Sequence, residues 1–128
     1  MTPADLTRAF LHAFETRDGS NLTYYAPGAE VQELPNRLVP DGKRYTVAEL
    51  HAAAERGKRA VSAERYEVVR ILSEGEEVAV EVIWTATLSV AVGTRVAGDT
   101  LRAHLGMFLT WRDGKIVSQR NYDCYEPF

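Results

Sequence analysis

The chain has 128 residues and a net charge of −3 at pH 7, with 15 basic and 18 acidic side chains. Its basic side chains are scattered singly, and no apolar run approaches the roughly 20 residues of a membrane-spanning helix, so we expect no nucleic-acid or membrane partner. The length predicts one domain, residues 1–128. A single cysteine, Cys124, and an N-terminus typical of a helix start instead of a secretory signal predict a reducing, cytoplasmic location.

The first predicted element is an amphipathic helix. Thr2, Pro3 and Asp5 form a capping box with proline at the first helical position. Apolar side chains then recur at helical spacing, at Leu6, Phe10, Ala13 and Phe14. Gly19 is expected to end this helix, and Ser20 to cap a short one that reaches Tyr25.

A short strand and another helix follow. Ala26-Pro27-Gly28 is expected to break the chain before a strand from Glu30 to Leu34, and residues 36–44 are typical of a loop with a turn at Pro40-Asp41-Gly42. Thr46 and Glu49 form another capping box. The helix that they begin is expected to end near Gly57.

The second half of the chain predicts a meander of strands, Glu64–Leu72, Val78–Val92, Leu101–Arg112 and Lys115–Asp123. The last two are joined by Asp113-Gly114, the typical signal of a type I′ hairpin turn. Apolar side chains alternate along the second strand, at Val78, Val80, Val82, Trp84, Ala86, Leu88 and Val90. Helices followed by antiparallel strands predict an α+β fold with the helices on one face of a curved sheet.

The final strand is unusually polar. Gln119, Asn121 and Asp123 share one face of it, because side chains alternate along a strand. One face of this strand therefore borders either water or an enclosed polar space.

Two motifs resemble the SnoaL-like branch of the NTF2-like (nuclear transport factor 2-like) superfamily. They are VQELPNRLVPDG at Val31–Gly42 and WRDGKIVSQRNYDCYEPF at Trp111–Phe128. The resemblance implies a cone-shaped α+β barrel, in which N-terminal helices pack on a strongly curved, mainly antiparallel sheet and leave a deep apolar pocket. The superfamily includes polyketide cyclases, ketosteroid isomerases, epoxide hydrolases and non-catalytic members, so the fold alone does not select a function.

The resemblance also implies where a site would lie. Relatives carry a catalytic polar residue at the end of the first strand, where this chain has Glu33, and cyclase relatives use an aspartate that corresponds to Asp123. Asn121 replaces a catalytic aspartate of the epoxide hydrolases, and Val82 and Trp84 replace their arginine and aspartate, which argues against epoxide hydrolysis. The expected substrate-binding residues are Phe14, Tyr24, Trp84, Leu105, Met107 and Gln119.

Each candidate has a structural alternative. Glu33 is either a general base or an ion-pair partner of Arg37. Asp123 is either a catalytic acid or base, or a cap that holds a backbone amide at the strand end. The amides of Gln119 and Asn121 either hold an enolate oxygen or bond across strands.

Metal binding is not expected, since His12, His51 and His104 lie on separate predicted elements. Strand parity directs His104 and Arg102 away from the pocket. A bulge between Leu101 and Trp111 would instead turn both inward and make His104 a general base.

From the resemblance and these candidates we expect a cofactor-independent isomerase or aldol-type cyclase that acts by general acid/base chemistry on a small hydrophobic carbonyl compound. A non-catalytic binder or sensor of such a molecule, or a dimeric scaffold, is the alternative. A homodimer is expected through the outer sheet face, where Val69, Ile71, Ile83 or Val117 would otherwise meet water. The sequence leaves open whether Tyr125 and Phe128 cover the pocket mouth.

Overall fold

The computed structural model describes all residues, 1–128, as helices on one face of a six-stranded sheet. The elements are α1 (Pro3–Thr16), a 3-10 helix (Ser20–Tyr24), β1 (Tyr25–Glu33), β2 (Lys43–Tyr45), α2 (Val47–Ala60), β3 (Val61–Glu74), β4 (Glu77–Leu88), β5 (Thr100–Arg112) and β6 (Lys115–Tyr125). The strand order is β2-β1-β6-β5-β4-β3, and all neighbours are antiparallel except β1 and β6. The predicted α+β class is confirmed. None of the helices is both long and apolar enough to cross a membrane.

Both helix starts are confirmed, and both helix ends differ from the prediction. The capping boxes at Thr2 and Thr46 are complete. The first helix ends earlier than Gly19, because Arg17 takes a left-handed conformation (φ 58°) and donates its N–H to the carbonyl oxygen of Phe14. The second helix continues through Gly57 to Ala60, where basic side chains in the last turn favour the helix C-terminus and β3 begins at once.

The break predicted at Ala26-Pro27-Gly28 is wrong, because this tripeptide lies inside β1. The pairing with β6 shifts register between Tyr25 and Glu30, and this irregularity accommodates a proline that has no N–H to donate. The segment predicted to be a loop also contains β2, a strand of three residues that pairs antiparallel with Val31–Glu33. Pairing with distant segments, which local sequence does not encode, produces both differences.

The core lies between α1 and the concave face of the sheet. Phe10 and Leu11 of α1 are fully buried there, and the indole of Trp111 donates a hydrogen bond to Thr7 Oγ1 at 3.0 Å. The alternation predicted for β4 is confirmed up to Leu88, where the strand ends. Val90 is exposed because the chain has left the sheet by that point. The Asp113-Gly114 turn is confirmed, with positive φ at both residues.

The outer face of the sheet carries His104 and Arg102, as strand parity predicts. The one register shift between β5 and β6 lies at Thr110/Trp111, beyond His104, so neither side chain is turned inward. Both contact Glu126. The expectation for Ile71 is wrong, because a bulge in β3 between Val68 and Arg70 inverts the parity and packs Ile71 against the core.

Candidate active site

The site begins where β1 and β6 run side by side. Their parallel register pairs Val31 with Gln119 and Glu33 with Asn121. Because side chains alternate along each strand, these positions face the concave side of the sheet, beneath the helices. Two segments from opposite ends of the chain therefore supply neighbouring polar groups.

A cavity of 260 Å³, partly open to solvent, lies above these strands, between the sheet and the helices. Its wall is mostly apolar and aromatic, and its polar side chains include Asn21, Glu33, Gln119 and Asn121. A larger depression of 760 Å³ beside β1 and the start of α2 is lined mostly by polar residues of the protein surface. We take the smaller cavity as the candidate site, because ligand sites are lined mostly by apolar side chains with a few polar groups.

Part of the predicted site lines this cavity. Phe14, Met107, Gln119, Asn121 and Glu33 all do. The other expected binding residues lie elsewhere, for three separate reasons.

The ring of Tyr24 packs against Phe10 and Trp111 in the core. The indole of Trp84 turns aside to donate a hydrogen bond to Glu64 Oε1 at 3.1 Å and packs on Tyr125. Leu105 is buried in the core without reaching the cavity. Tyr24, Trp84 and Leu105 were expected to line the pocket, and in the structure they do not line this cavity.

Glu33 is held by two neutral donors. The hydroxyl of Tyr45 donates to Oε1 at 2.9 Å, and the side-chain amide of Asn36 donates to Oε2 at 2.8 Å. The ion pair with Arg37 does not form. Arg37 instead donates to the backbone oxygen of Phe128 at 2.9 Å and stacks on its ring. Glu33 is thus a fixed carboxylate at one side of the cavity.

Asp123 is the second carboxylate of this region, and it is largely buried. It does not line the cavity itself but follows Asn121 on the same face of β6, opposite Leu105, and its Oδ1 is buried without any hydrogen-bond partner. Burial first, and then the negative charge of Glu33, raise the pKa of Asp123 to about 6, while a hydrogen bond from Asn121 acts in the opposite direction. No backbone amide donates to this side chain, so it does not cap the strand.

A chain of hydrogen bonds fixes the amides between Tyr25 and Asp123. The buried phenol of Tyr25 donates to Gln119 Oε1 at 2.6 Å, and Gln119 Nε2 donates to Asn121 Oδ1 at 2.8 Å. The oxygen of Asn121 is therefore occupied, which leaves its NH₂ group to act on Asp123 and lower the pKa of that carboxyl. Burial also raises the pKa of Tyr25, so this phenol stays protonated and keeps its role as donor.

Further tyrosines surround the carboxylates. Burial and then the hydrogen bond with Glu33 raise the pKa of Tyr45 to about 12, and burial followed by the charge of Asp123 raises that of Tyr125. These phenols remain neutral donors at any physiological pH. No group of three or more His, Cys, Asp or Glu side chains is placed to hold a metal ion.

The sequence did not identify four residues of this region, Asn21, Tyr25, Tyr45 and Tyr66. Tyr66 pairs with Trp84 across β3 and β4, and the alternation of Trp84 could have indicated its inward direction. Tyr45 and Asn21 had no such signal, because β2 and the 3-10 helix face the cavity only through tertiary packing.

Comparisons with known proteins agree on one family and one fold. The sequence model of the SnoaL-like domain matches residues 7–119. No curated protein matches the sequence.

Three solved structures illustrate the shared fold. AclR from Streptomyces galilaeus, proposed to be a hydroxylase, has a TM-score of 0.81 at 22% identity, over 98% of this chain and 80% of its own. IdmH from Streptomyces antibioticus, proposed to be a polyketide cyclase, has a TM-score of 0.80 at 20% identity, over 96% and 92%. A hypothetical protein from Catenulispora acidiphila with a ketosteroid isomerase-like fold, in complex with trimethylamine, has a TM-score of 0.75 at 15% identity, over 95% and 86%.

Proposed function

The chain belongs to the SnoaL-like domain family, and from that premise we propose that it is a cofactor-independent enzyme that isomerises or cyclises a small hydrophobic carbonyl compound. The observation that carries the proposal is the buried, unpartnered carboxyl oxygen of Asp123, whose pKa is raised to about 6. A carboxylate with a pKa just below neutral is suited to take and return protons at pH 7. The similarity to IdmH supports a cyclase or isomerase type of reaction.

In the proposed reaction Asp123 is the general base, and the substrate reaches it past Asn121, which lines the cavity on the same face of β6. Its ionised carboxylate removes a proton from a carbon next to the substrate carbonyl, and the electron pair of the C–H bond moves onto the carbonyl oxygen to form an enolate. The NH₂ group of Asn121 stabilises the developing negative charge. Protonated Asp123 then returns the proton, either to another carbon of the enolate (isomerisation) or to the alkoxide formed when the enolate attacks a second carbonyl (cyclisation).

Glu33 has a different role in this proposal. Both of its oxygens accept hydrogen bonds from Tyr45 and Asn36, so it is less suited to proton abstraction than Asp123. Its fixed negative charge contributes to the raised pKa of Asp123. We therefore assign proton transfer to Asp123 and electrostatic tuning to Glu33.

The test is the pH dependence of turnover. We expect kcat/KM to rise about tenfold per pH unit below pH 6 and to level off above it, since the base must be ionised in the free enzyme. Asp123→Asn should lower kcat by about 10²–10⁴-fold, whereas Asp41→Asn, a change at an exposed turn, should not. Wild-type turnover in Asp123→Asn would remove Asp123 from the mechanism.

The variant Glu33→Gln distinguishes the roles of the two carboxylates. Removing the charge of Glu33 should lower the pKa of Asp123, so the acidic limb of the profile should move to lower pH while turnover persists. Loss of turnover at every pH, with the ligand still bound, would instead make Glu33 the base.

A non-catalytic binder is the second candidate, and Asn121 favours it by replacing the aspartate expected for epoxide hydrolysis. Such a protein would bind hydrophobic ketones without converting them at any pH. The scaffold alternative is less well supported, because side chains leave a cavity of 260 Å³ unfilled.

We also propose a homodimer through the outer sheet face. Leu72 (61% exposed), Phe108 (56%) and Tyr122 (40%) are large apolar or aromatic side chains there, and Phe108 and Tyr122 pack edge to face. A second copy of the chain would remove these groups from water.

A further inference from the structure

Asn21 is a buried polar residue with no partner in the protein. It lies in the 3-10 helix, only 8% of its surface is exposed, and its side-chain amide makes no hydrogen bond. The amide lines the cavity and so retains contact with that space. Buried amides are normally satisfied, so an open donor and acceptor at this position points to a ligand group that would complete them.

Asn21 also marks the end of the cavity opposite the proposed chemistry. A second cavity of 130 Å³ shares Phe14, Asn21, Ala54 and Tyr66 with the first and extends to Arg17, Lys58 and Glu64. Glu33, Gln119 and Asn121 line the first cavity alone. A ligand that reaches Asn121 with one end would therefore meet Asn21 with the other.

The charges around the cavity disfavour an anionic ligand. No Lys, Arg or His lines the first cavity, Glu33 lines it with a carboxyl group, and Asp123 lies close enough to feel the charge of Glu33. An anionic ligand would be repelled. Towards the second cavity, Arg17 and Glu64 form an ion pair at 2.9 Å, and Lys58 pairs with Glu55 at 3.2 Å, so each of these charges already has a partner.

The volume limits the size of the ligand. The first cavity holds 260 Å³, somewhat less than the roughly 300–1,000 Å³ of pockets that enclose drug-sized molecules. It equals the volume of about nine water molecules in the liquid, at roughly 30 Å³ each. A compound of two fused six-membered rings fills this space, and a four-ring compound would extend beyond it.

We propose that Asn21 is a substrate-binding residue, and that the substrate is a neutral compound of about two rings with a hydroxyl or carbonyl group at the end opposite its enolisable carbonyl. The placement of the reacting carbonyl at Asp123 rests on the proposed function. The binding role of Asn21 itself is tested by affinity, which requires no turnover.

The experiment compares two ketones that differ at one end, 2-tetralone and 6-hydroxy-2-tetralone, by calorimetric titration of the full chain. The wild type should bind the hydroxylated ketone about tenfold more tightly. Asn21→Leu, which keeps the size and removes the polar group, should bind the two within twofold of each other. Absence of a preference in the wild type, or the same preference in Asn21→Leu, would overturn the role of Asn21.

Folding does not limit this test. Asn21 has no hydrogen bond to lose, so Asn21→Leu should unfold at the same or a higher urea concentration than the wild type. Asn21→Ala is the second variant, with the same loss of preference expected. A retained preference in Asn21→Ala would also contradict the proposal.

Two further ligands test size and charge. Androst-4-ene-3,17-dione, with four rings, should bind at least a hundredfold more weakly than 2-tetralone, and tight binding would overturn the size limit. 2-Tetralone-6-carboxylate, an anion at pH 7, should bind more weakly than 2-tetralone, and equal or tighter binding of this anion would overturn the neutral class. Asp123→Asn should keep the hydroxyl preference, so a failure of the acid/base mechanism is distinguishable from a failure of this proposal.

Discussion

At the scale of single residues, one phenol determines which way two amides point. Tyr25 can only donate to Gln119 Oε1, because its pKa is raised and no other acceptor is bonded to it. This leaves Gln119 Nε2 to donate to Asn121, whose own NH₂ group must then face Asp123. A residue outside the reacting groups thus sets the donor that the mechanism needs.

Tyr25→Phe should remove the hydrogen bond that orients the amides of Gln119 and Asn121. Without the donor, Gln119 and Asn121 can rotate, the hydrogen bond that lowers the pKa of Asp123 weakens, and the acidic limb of kcat/KM should move to higher pH. The buried amide of Gln119 also loses a partner, at a cost of about 1–3 kcal/mol in unfolding free energy. pH–rate profiles and urea titrations measure the two effects.

Tyr24→Phe is the matched control. Its ring packs against Phe10 and Trp111 and its hydroxyl makes no hydrogen bond, so both measurements should stay at wild-type values. A Tyr25→Phe profile that superposes on that of Tyr24→Phe would contradict the orienting role.

The sequence predicted the residues of β6 better than their partners. Strand alternation placed Gln119, Asn121 and Asp123 on one face, because that rule is local. It could not place Tyr25 or Asn21, since the strand start at Tyr25 and the position of the 3-10 helix depend on packing against distant residues.

At the scale of elements, the loop between β1 and β2 holds Glu33 in place. Asn36 donates to Glu33 Oε2 and accepts from the backbone N–H groups of Leu38 and Val39. Gly42 closes the loop with a positive φ of 67°, and a Cβ there would lie 2.7 Å from the carbonyl oxygen of Glu33. This contact is with backbone, so a side-chain rotation cannot relieve it.

Gly42→Ala should therefore destabilise the protein more than a positive φ alone requires. The conformational cost is about 1–2 kcal/mol, and the clash adds about 1–3 kcal/mol. Gly75→Ala is the control, since Gly75 has a similar φ of 58° and nothing within 4 Å of the added Cβ. Equal losses in unfolding free energy for the two variants, measured in urea, would show that the loop adjusts freely.

The same elements show what local sequence encodes. Both capping boxes and the Asp113-Gly114 turn were predicted correctly, because each depends on residues a few positions apart. The end of α2 and the whole of β2 were not. Their limits are set by the neighbouring strand, which overrides the helix-ending tendency of Gly57 and the loop-like composition of residues 36–44.

At the scale of the whole molecule, the proposed homodimer depends on the outer face of the sheet. If two copies pack there, Phe108→Asp places a charge in an apolar contact and should weaken association at least a hundredfold, about 3 kcal/mol. Val96→Asp is the control, because Val96 is equally exposed (58%) but lies in the loop between β4 and β5.

Sedimentation velocity over a range of concentrations measures both variants. We expect a dimer for the wild type and for Val96→Asp, and a monomer for Phe108→Asp. A wild-type protein that remains monomeric at high micromolar concentration would exclude this interface.

The parallel pairing of β1 with β6 has a consequence for how the protein is made. Its register joins Glu33 to Asn121, so the two sides of the cavity come from strands that most of the chain separates. The helices and the β3–β4–β5 meander form from local contacts, whereas this pairing must close the longest loop in the fold. On a ribosome the helices and the β3–β4 hairpin can therefore form early, but neither the complete core nor the binding site exists until β6 emerges and inserts between β1 and β5.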